Sequence, residues 1–305
     1  MRKAVLDMGT NTFHLMVVEW DAVGSWQPLH RNRVFVKLAE AGLHQIGDAA
    51  FERGLQAMQT FRADLDAFAL APGEVTAFGT AALRSAANAP EFIKKVFEQT
   101  GIRAQVISGE EEARLIYLGV RQATPWPEGA RVLIMDIGGG SVEFILADRR
   151  EIFWKKSFNV GVAVLHRLFH RNDPITAAEI ANIEHFLETE LAPLWEVLRG
   201  QPAACLVGAA GAFDTIDLFA IDPATKPPLY GYLPAPAFDP VYQLFIQSTR
   251  TERLELPLLA PERQEMIVAS VVLIRYILQR AGIQEVYTST YSMKEGMVAD
   301  VRVGG

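Results

Sequence analysis

The residues of this sequence that are best suited to chemistry lie between Asp136 and Glu143. Asp136 ends one short apolar run, Glu143 lies in the next, and Gly138–Ser141 separates them. Such runs around a glycine turn are typical of buried strands and predict a β-hairpin. Glycines without a Cβ let backbone N–H groups approach an anion such as phosphate. Since carboxylates beside phosphate need a hard cation between them, the stretch predicts a site for phosphate and Mg²⁺.

The same pattern occurs near the N-terminus, where Asp7 ends an apolar run and Gly9-Thr10-Asn11 leads into another. The two aspartates are 136 − 7 = 129 residues apart, about one domain length. We therefore interpret the repeat as a duplicated domain, because a solenoid would repeat every 20–50 residues or so. A boundary in the Pro- and Trp-containing stretch 123–129 predicts domains at 1–123 and 124–305, with the last helix able to pack back on the first domain. Two such hairpins predict a cleft that grips a phosphorylated ligand from both sides.

The composition is that of an ordinary globular protein. Of the 305 residues, 50% are hydrophobic and 21% are charged, which favours two domains or one large one. A net charge of −7 argues against a nucleic-acid partner. No apolar run reaches the roughly 18 residues of a membrane span, and no apolar signal region is visible. A single cysteine, Cys205, suits a reducing compartment, so we expect a cytoplasmic protein with no membrane partner and a buried, structural cysteine.

Glu112 is the candidate general base. It follows Ser108-Gly109-Glu110-Glu111, which fits a capping box in which Ser108 caps the helix and Glu111 reaches back to it. Glu112 itself lies on the face of this helix whose later positions are apolar or glycine. Burial there would raise its pKa towards the range of a general base. The alternative is that Glu112 is merely a third acidic residue at a helix start.

Other polar and glycine positions admit two interpretations. Arg84 follows a strand end beside Thr80, which favours a bidentate phosphate contact over a solvated surface arginine. The turn Gly208-Ala209-Ala210-Gly211 leads from a strand into a helix, which suits an anion or, alternatively, tight helix–sheet packing. Residues 223–240 contain six prolines and predict a loop or flap. We interpret His14 as a structural or surface residue rather than a ligand. The sequence also contains three arginines that could line a path for polyphosphate, but each is better interpreted as a surface residue: Arg250, Arg253 and Arg263.

As a set, these motifs resemble the exopolyphosphatase and guanosine pentaphosphate phosphohydrolase (Ppx/GppA) family of the actin-like/hexokinase/Hsp70 ATPase superfamily. The stretches that carry the resemblance are 7–11, 79–86, 107–120, 136–143, 208–211 and 293–297. The resemblance implies an α/β fold with two ribonuclease H-like (actin-like ATPase) domains facing across an interdomain cleft. It also places the turn at Gly161 near the metal and the phosphates.

The activity that the resemblance implies is Mg²⁺-dependent release of terminal orthophosphate from inorganic polyphosphate, or conversion of guanosine pentaphosphate to tetraphosphate. Glu112 would activate water and Arg84 would stabilise charge, while Mg²⁺, or alternatively Mn²⁺, would be held by Asp7, Asp136 and Glu143. We expect a homodimer. The residues expected to bind the phosphates of the substrate are Gly9, Thr10, Asn11, Gly138, Gly139, Gly140, Ser141, Gly208 and Gly211.

Three other functions stay open at this point. A kinase of the same superfamily would use the same hairpins, although the block 107–120 favours the phosphatase family. A non-catalytic sensor of polyphosphate or alarmone would not need Asp7, Glu112, Asp136 and Glu143 together. A filament subunit is the third alternative. The chain resembles the short, two-domain form of the family, which leaves short polyphosphate and nucleotide substrates open.

Overall fold

The computed structural model describes the backbone of residues 1–303 and the side chains of residues 1–300. Over this range the chain alternates strands and helices, and the predicted α/β class is confirmed. The strands are β1 (Arg2–Met8), β2 (Thr12–Trp20), β3 (Trp26–Phe35), β4 (Val75–Gly79), β5 (Ala104–Val106), β6 (Val132–Ile137), β7 (Val142–Ala147), β8 (Ile152–Phe158), β9 (Cys205–Ala209), β10 (Tyr230–Pro234) and β11 (Glu285–Ser289). The helices are α1 (Asp48–Ala67), α2 (Ala81–Ser85), α3 (Ala89–Thr100), α4 (Gly109–Ala123), α5 (Val162–Phe169), α6 (Ala177–Glu190), α7 (Ala192–Gly200), α8 (Ala212–Ala220), α9 (Asp239–Gln247), α10 (Arg250–Leu254), α11 (Ile267–Ala281) and α12 (Met293–Val303).

The chain divides into two compact units. Unit 1 contains Met1–Leu115 and the segment from Met293 onward, and unit 2 contains Ile116–Ser292. The chain therefore enters unit 2 inside α4 and returns to unit 1 just before α12, which packs on β1 and β2. The sequence prediction drew its boundary at residues 123 and 124, where α4 ends.

Each unit is built on one mixed sheet with the same strand order. In unit 1 the order is β3-β2-β1-β4-β5, and in unit 2, read from the matching edge, it is β8-β7-β6-β9-β11-β10. The first three strands of each sheet are antiparallel and joined by short turns, whereas the next two run parallel and need helical crossovers. Unit 2 adds only the edge strand β10. The repeat that the sequence shows in its Asp-x-Gly motifs is thus also a repeat of topology.

The helices cover the sheets through apolar faces. In unit 1, α1 and α3 bury Phe61 and Phe92 against the sheet. In unit 2, α11 is buried over most of its circumference, as expected for a central helix of an α/β layer. These two cores hold the carboxyl ends of the parallel strands in place, and the candidate site residues lie at those ends.

The expectation of a loop or flap at residues 223–240 holds for residues 223–229, which form turns, and is wrong from Tyr230 onward. This segment contains β10, which pairs antiparallel with β11, and a 3-10 turn that ends at the buried Phe238. Pro234 is tolerated in β10 because this strand lies at the edge of the sheet, where a missing N–H costs little, and the other five prolines lie outside the strand. The density of prolines hid the strand from sequence reasoning.

Two further sequence expectations concern the environment of the chain. Cys205 is fully buried, and burial raises the pKa of its thiol to about 12, which confirms a structural cysteine. Among the described helices, none is both long enough and apolar enough to cross a membrane.

Candidate active site

The hairpin β6–β7 places two carboxylates side by side. Asp136 and Glu143 are directly opposite each other in the antiparallel register. Opposite residues in such a ladder share one face, with Cβ atoms about 4.5–5.5 Å apart. The turn between them is closed by a hydrogen bond of 2.9 Å from Gly138 N–H to Ser141 O. The predicted hairpin is confirmed, and it brings both predicted acids to the same edge of unit 2.

Serine hydroxyls hold both of these carboxylates. Glu143 is only 2% exposed, and its Oε1 accepts hydrogen bonds from Ser141 Oγ at 2.7 Å and Ser157 Oγ at 2.6 Å. Asp136 Oδ2 accepts one from Ser292 Oγ at 2.6 Å. The sequence did not predict Ser157 and Ser292. Ser157 reaches Glu143 through the pairing of β7 with β8, and Ser292 is 156 residues from Asp136 in the sequence. Hydroxyl donors orient these acids and supply no competing positive charge.

The glycine loop turns its carbonyl groups towards the start of α5. The oxygens of Gly138, Gly139 and Gly140 accept hydrogen bonds at 2.9–3.2 Å from the N–H groups of residues 161–163. A Cβ on Gly161 would lie 2.4 Å from Gly139 O, so only glycine permits this approach. Within the described part of the chain, no residue accepts a hydrogen bond from the N–H of Gly139 or Gly140. A glycine loop whose carbonyl groups are bonded to a neighbouring segment, and whose N–H groups have no acceptor among the described residues, is suited to binding an anion.

The hairpin β1–β2 repeats this backbone in unit 1. Gly9 N–H donates to Thr12 O at 3.1 Å, in the same position as the turn bond of the second hairpin. The carbonyl groups of Thr10 and Asn11 accept from residues 36–38, at 2.8–3.0 Å. Opposite Asp7 lies His14 rather than an acid. The register therefore places His14 on the same face as Asp7, half-buried, at the position that Glu143 occupies in unit 2.

Glu112 and Arg84 form a partly buried ion pair in unit 1. Arg84 Nη1 donates to Glu112 Oε2 at 2.9 Å and to Ile107 O at 3.2 Å. Glu112 is only 8% exposed, which confirms the prediction that it lies on the packed face of α4. The sequence did not predict the partner. Because one nitrogen of Arg84 is bonded to both the backbone and the carboxylate, the guanidinium fixes the orientation of Glu112.

The predicted capping box at the start of α4 is half right. Ser108 Oγ accepts from Glu111 N–H at 3.1 Å, as predicted. The carboxylate of Glu111 does not reach back to Ser108 but accepts from Arg114 Nε and Nη2 at 2.9 and 2.7 Å. Arg114 also donates to Asp300 on α12 at 3.0 Å. A bidentate pair with arginine outcompetes the cap, and it ties the start of α4 to α12.

In the turn between β9 and α8, the first glycine, Gly208, allows the helix to pack closely against the strand. A Cβ on Gly208 would lie 2.1 Å from the ring of Phe213, which supports the alternative of tight helix–sheet packing at this position. Ala210 has a φ of 42° and donates its N–H to Ser289 O at 2.8 Å. Gly211 has a φ of 56°, and its Cβ position would lie 4.0 Å from Arg263 Nη1. Phosphate contacts at Gly208 and Gly211 stay a prediction.

The interpretation of Arg253 as a surface residue is wrong. Its side chain is buried, donates to Gln264 O at 2.9 Å and pairs with Asp173 at 3.3 Å. Burial lowers its pKa from the usual value, and the backbone acceptors compensate for part of that cost. Arg250, in contrast, is a surface arginine, exposed and paired with Glu265 at 3.0 Å.

Known proteins place the chain in a family. The sequence profile of the Ppx/GppA phosphatase family matches residues 16–302. This chain belongs to the Ppx/GppA phosphatase family. "Exopolyphosphatase 1" from Mycobacterium bovis and the protein of the same name from Mycobacterium tuberculosis are each 28% identical over 303 residues, which is 98% of this chain and 87% of theirs.

Solved structures show the same fold. The crystal structure of an exopolyphosphatase from Cytophaga hutchinsonii is 34% identical, with a TM-score of 0.94 over 100% of this chain and 98% of that one. The Ppx/GppA family member from Aquifex aeolicus is 23% identical, with a TM-score of 0.82 over 100% of this chain and 99% of that one. The predicted family and the predicted pair of actin-like domains are confirmed.

The second hairpin of this Ppx/GppA protein is compatible with a divalent cation. Among the residues that the structure describes, no group of three or more His, Cys, Asp or Glu side chains is arranged to hold a metal ion. Mg²⁺, however, is commonly held by one or two carboxylates, with waters and substrate phosphates completing its shell. Asp136 and Glu143, adjacent and oriented by hydroxyl groups, fit that requirement. The participation of Asp7, which lies in unit 1, stays a prediction.

Proposed function

We propose that this Ppx/GppA family member is a Mg²⁺-dependent phosphoanhydride hydrolase that releases terminal orthophosphate from inorganic polyphosphate. The observation that carries the proposal is the second hairpin, in which an anion-binding loop and two adjacent carboxylates occur within eight residues. An anion site beside paired acids suits a phosphate that arrives with its cation. The names of the relatives from Mycobacterium and Cytophaga support polyphosphate as the substrate.

The backbone loops would bind the phosphate oxygens. In unit 2 the carbonyl groups of Gly139 and Gly140 are bonded to the start of α5, and no described residue accepts from the N–H groups of these two glycines. In unit 1 the loop Gly9–Asn11 has the same turn, with its carbonyls likewise bonded to a neighbouring segment. Recognition by backbone N–H groups requires only phosphate oxygens, so a chain of identical phosphate units is a suitable ligand. Mg²⁺ or Mn²⁺, when held by Asp136, Glu143 and Asp7, would offset charge on the transferring and leaving phosphates.

Glu112 is the proposed general base. A water molecule attacks the terminal phosphorus while Glu112 accepts its proton, the bridging P–O bond breaks, and the shortened polyphosphate leaves with the electron pair. Arg84 holds Glu112 through Nη1 and would stabilise charge as the bridging bond breaks. Phosphoryl transfer depends mainly on positioning and electrostatics, so a base, donors and a cation suffice.

The test is a comparison of three substrates. Phosphate release is measured with Mg²⁺ and with chelator, from long-chain polyphosphate, short-chain polyphosphate and guanosine pentaphosphate. We expect Mg²⁺-dependent release from polyphosphate. Release from guanosine pentaphosphate alone would show that the protein is a guanosine pentaphosphate phosphohydrolase rather than an exopolyphosphatase. Tight binding without release would indicate a sensor, and phosphate transfer from ATP to an acceptor would indicate a kinase.

A further inference from the structure

The hydroxyl group of Ser292 reaches Asp136 from a distant part of the chain. The two residues are 156 positions apart, and Ser292 Oγ donates to Asp136 Oδ2 at 2.6 Å. Ser292 is 8% exposed, so water does not compete freely for this bond. A short bond between a hydroxyl and a carboxylate in a sheltered place is a strong orienting contact.

The sheet brings these two residues together. In register, Ser289 of β11 lies beside Ala209 of β9, and Ala209 lies beside Asp136 of β6. Side chains in one such row share a face of the sheet. Ala209 carries only a methyl group, so the segment that follows Ser289 can approach Asp136 from the side of β11. A larger residue at position 209 would stand between them.

The turn after β11 aims the hydroxyl of Ser292. Ser289 Oγ donates to Tyr291 O at 2.7 Å and accepts from Tyr291 N–H at 3.2 Å. The N–H and the hydroxyl of Thr290 both donate to Leu229 O at 3.0 Å. The backbone just before Ser292 is therefore fixed by four hydrogen bonds. None of them involves the hydroxyl group of Ser292, so the position of the Ser292 backbone does not depend on that hydroxyl.

Directly after Ser292 the chain is anchored in unit 1. The helix α12 starts at Met293 and carries Glu295, which is fully buried and bonded to Arg31 at 3.2 Å. Asp300 on the same helix bonds to Arg114 at 3.0 Å. Ser292 is thus the last residue of unit 2 before the crossing, and it bonds to a proposed cation ligand.

We propose that Ser292 is a positioning residue for Asp136, whose hydroxyl holds the carboxylate in the orientation that binds the divalent cation. The proposal rests on the proposed function, since it concerns the cation of the same site. Groups that orient a metal ligand commonly change metal affinity or activity about 10–100-fold when removed. Ser292 should therefore affect the cation requirement more than the rate at saturating cation.

The experiment compares variants that lack the hydroxyl with variants that keep it. Ser292→Ala and Ser292→Gly remove the donor, and Ser292→Thr retains it. Thr290→Ala is the matched control, because it removes a hydroxyl from the same turn that bonds to Leu229 and not to Asp136. Two readouts are taken for each: the Mg²⁺ concentration for half-maximal phosphate release, and the rise of melting temperature with added Mn²⁺ in the absence of substrate.

We expect Ser292→Ala and Ser292→Gly to need about 10–100-fold more Mg²⁺ and to lose much of the melting-temperature rise. Ser292→Thr and Thr290→Ala should resemble the wild type. Unchanged cation responses in both hydroxyl-free variants would overturn the proposal, as would an equal shift in Thr290→Ala or a wild type that responds to neither cation. If the wild type releases no phosphate, the proposed function fails, and the Mn²⁺ melting series still decides the role of Ser292.

Discussion

Opposite the aspartate of the first hairpin lies His14, and opposite the aspartate of the second lies Glu143. The two hairpins otherwise share strand order, turn hydrogen bond and inward carbonyl groups. Backbone geometry has therefore been kept between the two units while one cross-strand position differs in charge. Among the described residues, only unit 2 places two carboxylates next to each other on a hairpin.

The units also differ in where their reactive groups lie. In unit 2 both acids belong to the hairpin itself, whereas in unit 1 the buried acid Glu112 lies on α4 and bonds to Arg84 on α2. Under the proposed function this difference implies a division of work, in which unit 2 would supply two of the three cation ligands and unit 1 would supply the base that activates water. Each of the following predictions tests that division.

The largest effect is expected at Glu112. Glu112→Gln keeps the shape and an acceptor for Arg84 but removes the base, so phosphate release should fall about 10²–10⁴-fold with substrate affinity retained. Steady-state kinetics and polyphosphate binding measure the two quantities. Glu110→Gln is the control, because Glu110 is exposed at the start of the same helix. Near wild-type turnover in Glu112→Gln would show that Glu112 is not the base. Glu143 would then be the candidate base, and the proposed division of work between the units would be wrong.

The next comparison is between the two cross-strand positions. Glu143→Gln should lower activity about 10–100-fold and raise the Mg²⁺ requirement, because it removes one of two adjacent carboxylates. His14→Gln should leave the Mg²⁺ requirement unchanged. Activity measured over a series of Mg²⁺ concentrations separates the two. Equal Mg²⁺ shifts in both variants would show that His14 supports the cation as much as Glu143 does.

Matched changes in the two turns test whether the hairpins have the same backbone function. A Cβ would lie 2.8 Å from Thr12 O in Gly9→Ala and 2.9 Å from Ser141 O in Gly138→Ala. Both variants should slow hydrolysis and lose about 1–3 kcal/mol of unfolding free energy, the usual cost of such crowding. Denaturant titration and activity are the measurements. Gly200→Ala is the control, because nothing lies within 4 Å of the added Cβ. This variant should keep both the rate of hydrolysis and the free energy of unfolding. A Gly9→Ala variant with full activity would show that only the second loop binds phosphate.

The smallest effect is expected at Ser141. Ser141→Ala removes one of the two hydroxyl donors to Glu143 Oε1, and Ser157 retains the other. We expect the Mg²⁺ requirement to rise about tenfold or less. The double variant Ser141→Ala/Ser157→Ala should approach the effect of Glu143→Gln. A double variant that behaves like the wild type would mean that the hydroxyls do not orient Glu143.

Local signals explain what the sequence predicts correctly. The Asp-x-Gly turns between apolar runs predict both hairpins, because strand period and turn residues are encoded within about ten positions. The burial of Glu112 follows from helical spacing on α4. Tertiary contacts explain what was missed. Arg84 and Glu112 are 28 residues apart, and Ser292 and Asp136 are 156 apart, so no local pattern connects them.

Two wrong expectations have the same physical cause. Prolines suggested a loop or flap at residues 223–240, but the edge strand β10 tolerates Pro234 because one side of an edge strand needs no N–H donors. Arg253 was taken as a surface residue, but backbone oxygens and Asp173 satisfy its guanidinium inside unit 2. In both cases tertiary neighbours compensate for a residue that is unfavourable by its type alone.

The placement of α12 in unit 1 has a consequence for synthesis of the protein on the ribosome. Residues 116–292, which form unit 2, are made while unit 1 still lacks the helix that packs on β1 and β2. At about 5–20 residues per second, these 292 − 115 = 177 residues take roughly 9–35 s to make. Unit 1 therefore begins to leave the ribosome before unit 2 and is completed after it. A nascent chain stalled within residues 200–290 should show protease-sensitive β1–β2.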